Sequence, residues 1–247
     1  MDTKNIGRLG FYAAVLTTLL TLITWGIAIL TPPLVGPYCS SGCYTYPYSG
    51  IAARFPRDYI WMYPAILLSL VYYILMTSIH YFAPNDKKIF SHIGLSFALI
   101  STATFVIDYF LQVSVIQPSL LLGETEGIAL LSQFNAHGVF IVLEEIGFFM
   151  MSFSMFCMAP VFVGKTKSEK AIRWLFIVCF GLTVLSFVLY STFYGVFREY
   201  RFEVATISIN WLTLIASGIP LSNVFRRVLV ESPGKQNTAL SAQTAKA

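Results

Sequence analysis

Residues 89–116 read IFSHIGLSFALISTATFVIDYFLQVSVI, and residues 136–163 read AHGVFIVLEEIGFFMMSFSMFCMAPVFV. As helices rising about 1.5 Å per residue, both are long enough to cross the ~30 Å hydrocarbon layer of a bilayer. Both also carry acid: Asp108 in the first, Glu144 and Glu145 in the second. Neither stretch contains a Lys or Arg to pair with them. A carboxylate at membrane depth costs about 2.5–3.5 kcal/mol on insertion scales. A proton, an interhelical hydrogen bond or a bound polar or cationic ligand must offset that cost. The two stretches therefore decide the fold class and also point to a site.

Working outward, four further apolar segments at 9–31, 59–82, 171–195 and 204–225 are long enough to span. The expectation is an all-α polytopic bundle of six transmembrane helices. One domain covers 1–230, and a polar, disordered cytoplasmic tail covers 231–247. Composition agrees. The chain is 56% hydrophobic and 11% charged, with a mean hydropathy of +0.70. A soluble domain carries about 25% charged residues, so a soluble enzyme is excluded. The first segment has a short basic flank but too long an apolar run for a signal peptide, and it reads as an uncleaved helix.

The net charge of +4 does not indicate a nucleic-acid partner, because the basic residues form neither an arm nor a basic helix. They sort by loop instead. With the N-terminus cytoplasmic, only Arg54, Arg57, Arg198 and Arg201 of the 16 Lys and Arg residues fall outside. That is a strong positive-inside bias, and an even number of spans returns the C-terminus to the cytoplasm. A multi-pass protein of the plasma membrane is expected.

Depth suggests where a site lies. Asp108 is eight residues from the outer end of the third span and Glu144 eight residues from the outer end of the fourth. Both come out roughly 12 Å below the outer boundary. Tyr190 and Asn210 lie at similar depth in the fifth and sixth spans. Ser101, Thr104, Asp108 and Gln112 recur at three- and four-residue intervals as one polar stripe. His137 and Glu144 are seven apart and nearly eclipsed, whereas Glu145 is about 100° further round. Both Glu residues can face the centre only if it is wide; otherwise one faces a helix seam. Asp108, Gln112, His137, Glu144, Glu145, Tyr190 and Asn210 are thus candidate ligand- or proton-binding residues. Burial and repulsion between the acids favour a proton on at least one of them. The plainer alternative is that the acids are structural hydrogen-bonding groups between helices.

Arg198 and Arg201, with Glu199 and Glu203, form a charged cluster between the fifth and sixth spans. It reads either as a solvated loop or as an outer gate in which an Arg reaches down to an acid. Cys39 and Cys43 fall in the outer loop, where thiols oxidise, and suit a small disulfide-stapled loop. Tyr44, Tyr46, Tyr48, Tyr59, Trp61 and Tyr63 fit an outer aromatic belt. The three histidines are too far apart to form a zinc site on their own. No G-x-S-x-G, H-E-x-x-H or Walker loop is present. No metal and no cofactor is expected.

Three functions fit these features. The first is a protein that binds or transports a small molecule or cation through an acidic pocket in the outer half, with proton coupling. The second is an intramembrane enzyme working on a lipid or isoprenoid by acid/base chemistry. The third is an assembly or sensor subunit without catalysis. The expected partners are the bilayer, an unidentified small molecule or cation, and a second copy of the chain.

Overall fold

The computed structural model describes residues 3–31, 34–48 and 50–244, with side chains up to 230. Helix α1 covers Thr3–Ile29, α2 Met62–Phe82 and α3 Lys88–Leu111. A wide π turn, Gln112–Ile116, continues α3 into α4, Gln117–Leu122. The short α5, Ile128–Leu131, precedes α6, Val139–Met158, then α7, Lys167–Tyr194, and α8, Tyr200–Thr244. Six helical segments are long and apolar enough to cross a membrane, the third being α3 and α4 together. No strand occurs among the described residues. This is a multi-pass membrane protein. The expected disordered tail falls on 231–247, where side chains throughout, and the backbone from 245, lie outside the described residues.

The spans form a closed ring. Each packs on its predecessor in the order α1, α2, α3, α6, α7, α8, and α8 returns to pack on α1. Without water to drive association, such seams rely on close backbone approach and on hydroxyl hydrogen bonds. Both are present. Gly10 faces the Phe225 ring and Gly218 faces Thr18, so side chains there would collide across the α1–α8 seam. The Thr102 hydroxyl donates to the Ser69 carbonyl (3.1 Å), joining α3 to α2. Ser101 donates to the Gly147 carbonyl (2.8 Å) and Ser154 to the Gly94 carbonyl (2.6 Å), joining α3 to α6. Tyr72 stands fully buried, its hydroxyl donating to the Met151 carbonyl of α6 (3.2 Å). Met151, Met155 and Met158 fill the core beside it, as suits a flexible thioether.

One end of the bundle is capped by the long loop between α1 and α2 and by the segment around α5. Cys39 and Cys43 form a disulfide there. Asp58 is buried against Arg54 (2.7 Å), with Arg57 at 3.6 Å. Arg57 also donates to the Leu30 carbonyl (2.6 Å), tying the loop to the end of α1. Of the residues expected in the belt, Tyr46 and Tyr63 are exposed and Tyr48 is buried, while Tyr59 and Trp61 turn inward and are buried as well. Their rings pack on Phe134 and Tyr109, a greater apolar burial than a position at the rim provides.

Candidate functional site

Three spans bring acid and phenol together at the disulfide end. Tyr109 on α3 donates its hydroxyl to Glu144 Oε1 on α6 (2.8 Å). Glu203, in the first turn of α8, lies within hydrogen-bonding reach of the Glu144 carboxyl. Two carboxyl groups can bond each other only with a proton between them. Glu144 is 1% exposed and Glu203 8%. Glu203 is in the first turn of α8, where the unpaired N–H groups and the helix dipole favour negative charge. Asp108, one residue before Tyr109, is 1% exposed, and its Oδ2 has no hydrogen-bond partner.

Glu144 and Glu203 line a cavity of about 380 Å³ at this end of the bundle. Trp25, Trp61, Phe140 and Trp211 supply much of its wall. The rings brace one another: Trp25 meets Trp211 edge-on (centroids 6.4 Å) and Trp61 meets Tyr109 (5.3 Å). Toward the loops the lining turns polar, with Tyr38, Gln133 and Tyr200. The Tyr200 hydroxyl donates to the Gln133 carbonyl (2.9 Å), and Gln133 Nε2 donates to the Asp58 carbonyl (3.2 Å), so the cap is cross-linked. Burial pushes the Tyr38 phenol up from its ordinary range, and the lip therefore presents a neutral hydroxyl near pH 7.

Glu145 belongs elsewhere. It points into the seam with α7 and α8, where Arg198 Nη2 meets its Oε2 at 2.8 Å. The same guanidinium lies over the Phe187 and Phe202 rings, at 5.2 and 5.8 Å. Gly195, at φ +57° and ψ −126°, allows the sharp turn after α7 that returns Arg198 over the bundle. Arg201 does not reach an acid of the cavity. It stacks on Tyr194 (4.2 Å) and lies 3.9 Å from Glu199.

The other candidates from the sequence separate. Gln112 is buried but uses its amide on the loop, donating to the Leu131 carbonyl (2.7 Å) and accepting from Gln133 N–H (3.2 Å). His137 is exposed, its backbone N–H held by the Asn135 side chain. Tyr190 is half-buried and stacks on Tyr194. Asn210 donates to the Thr206 carbonyl one turn back (2.8 Å) and accepts from the Cys179 thiol across the α7–α8 seam (3.7 Å). None of these four lines the cavity.

The residue most clearly missed is Glu203. Its neighbours Arg198, Glu199 and Arg201 make it look like part of a solvated loop. The available signal is spacing: Glu203, Thr206 and Asn210 follow one another at helical intervals and share one face of α8. All three are buried. Tyr109 was hidden by the acid beside it, and Trp61 and Trp211 by the ordinary preference of tryptophan for the membrane interface.

Fold and site together define a six-span membrane protein with an aromatic cavity at one end whose wall carries Asp58, Glu144 and Glu203. Compared with protein-family models, curated proteins and solved structures, the chain matches none.

Proposed function

We propose that this protein binds a small molecule in the cavity at the disulfide end and carries it across the plasma membrane, with the Glu144–Glu203 proton taking part. One observation carries the reading: two carboxyl groups from different spans meet on the wall of a cavity large enough for a ligand. Ligand sites commonly measure about 300–1,000 Å³, mostly apolar with a few polar groups converging. The alternative of purely structural acids fits Glu145, which has Arg198. It fits Glu144 and Glu203 poorly. Interhelical polar bonds are worth under about 2 kcal/mol each, little return for three uncompensated acids. Positive-inside sorting of the loops supports a cavity mouth on the outer side.

The test uses the purified full-length protein, screened against fractionated small-molecule extract by thermal stability at pH 6 and pH 8. A fraction that stabilises the wild type is expected to do so to a different degree at the two pH values. In Glu144→Gln/Glu203→Gln the stabilisation loses its pH dependence. Ala28→Trp, which fills the cavity from α1, is expected to abolish it. Stabilisation that is identical in all three proteins at both pH values counts against the cavity as the site.

A further inference from the structure

Two acids of the cavity wall, Glu144 and Glu203, have no ion pair, and that has a chemical meaning. Arg54 and Arg57 are committed to Asp58, Arg198 to Glu145, and Arg201 to Tyr194 and Glu199. Among the described residues, no Lys, Arg or His is set against Glu144, Glu203 or Asp108. Glu144 and Glu203 both line the cavity. Asp108, buried with one oxygen unpartnered, is a third acid one residue from the Tyr109 that bonds Glu144. A buried charge without a partner is costly. A cation in the cavity supplies the missing countercharge.

The wall decides what kind of cation. Calcium takes six to eight oxygen ligands and magnesium a near-ideal octahedron. Among the described residues no three His, Cys, Asp or Glu side chains are placed to hold a metal ion. The cavity wall carries three carboxyl groups, of which Asp58 is held by Arg54 and Arg57, and a surround of indole and phenyl rings. Aromatic rings attract an ammonium held within about 6 Å of their faces, tryptophan most strongly. They also shelter alkyl groups, which a metal ion lacks. A volume of about 380 Å³ leaves room for the apolar body of such a ligand beyond its charged centre.

We infer that the ligand of this cavity is an organic cation, an alkylated ammonium whose charge lies at the Glu144–Glu203 carboxyls and whose apolar part lies against Trp25, Trp61 and Trp211. This rests on the cavity being a ligand site and names the class of ligand it takes.

Three of the four tryptophans line the cavity, and the fourth, Trp174, is exposed on α7. Intrinsic fluorescence of the full-length protein in detergent therefore reports occupancy. Choline, benzyltrimethylammonium and 3,3-dimethylbutan-1-ol, the uncharged isostere of choline, are titrated in parallel. The expected result is saturable quenching by both cations, with choline at least tenfold tighter than the alcohol. In Glu144→Gln/Glu203→Gln the preference for choline is expected to fall to within about threefold. Gel filtration confirms that the variant is folded, and the wild-type comparison stands without it. Equal binding of choline and the alcohol overturns the cation assignment and leaves the cavity as a site for neutral ligands. Saturation by neither cation also overturns it. Whether the cavity binds anything then rests on the extract screen, so the two failures are distinguishable.

Discussion

Glu144 and Glu145 are adjacent in sequence and opposite in circumstance. Glu144 lines the cavity with Glu203 and takes a hydrogen bond from Tyr109, whereas Glu145 holds a guanidinium in a seam of aromatic rings. The difference is the ~100° between successive residues of a helix. It makes the two acids respond differently to substitution. Arg198→Met leaves Glu145 mostly buried without its partner. A charged group stripped of its partner costs about 1–3 kcal/mol, equivalent to a melting temperature lower by roughly 3–10 °C for a chain of this size. Adding Glu145→Gln is expected to restore most of the loss. A double-mutant cycle on thermal stability checks this; additive losses would rule out the pair as a stabilising contact. Removal of Tyr109 as Tyr109→Phe takes a donor from Glu144 and is expected to weaken ligand stabilisation in the extract screen while barely changing the fold. Asp108 and Glu144 were legible in the sequence because each interrupts an apolar run. Glu203 was not, since a single acid near a helix start has the same local pattern whether it faces water or a cavity.

Among the helices, α1 and α8 show most directly how the bundle is held. Gly10 and Gly218 are packed against Phe225 and Thr18, so the two backbones approach closely. Gly181 on α7 has nothing within 4 Å of where a methyl group would lie. Two substitutions that look alike on paper should therefore diverge. Gly218→Ala overpacks the seam and is expected to cost about 1–3 kcal/mol. Gly181→Ala gains helix propensity, by up to about 1 kcal/mol, with no clash. Heating of the detergent-solubilised variants followed by gel filtration reads both; a seam variant as stable as the wild type would show that α1 and α8 can part without loss. All six spans were readable from apolar length alone, because the bilayer sets that length. Their ends were not. The third span runs on past residue 116 through a π turn to Leu122, because Gln112 and Leu120 turn inward under the cap. Nothing in the local composition announces that packing.

Taken as one body, the ring has two unlike ends. The disulfide, the cavity mouth and the Asp58 ion pairs share one end, while Lys4, Arg8, Arg226 and Arg227 gather at the other. If loop charge sets orientation as it usually does, the disulfide end is extracellular. Intact cells treated with reductant and then a membrane-impermeant maleimide are expected to label at Cys39 and Cys43. Cys39→Ser/Cys43→Ser should abolish the label, because Cys157 and Cys179 lie within the spans. Labelling that appears only after permeabilisation reverses the orientation.

The closure of α8 onto α1 also constrains how the protein is made. The partner for the small-residue face of α1, bearing Gly7, Gly10 and Ala14, is α8, the sixth span in chain order. Until α8 is synthesised that face meets only acyl chains, and Glu144 lacks Glu203. A nascent chain cut short before α8 therefore exposes both a bare helix flank and an unmatched acid, the kind of defect by which quality control in the membrane can recognise an incomplete product.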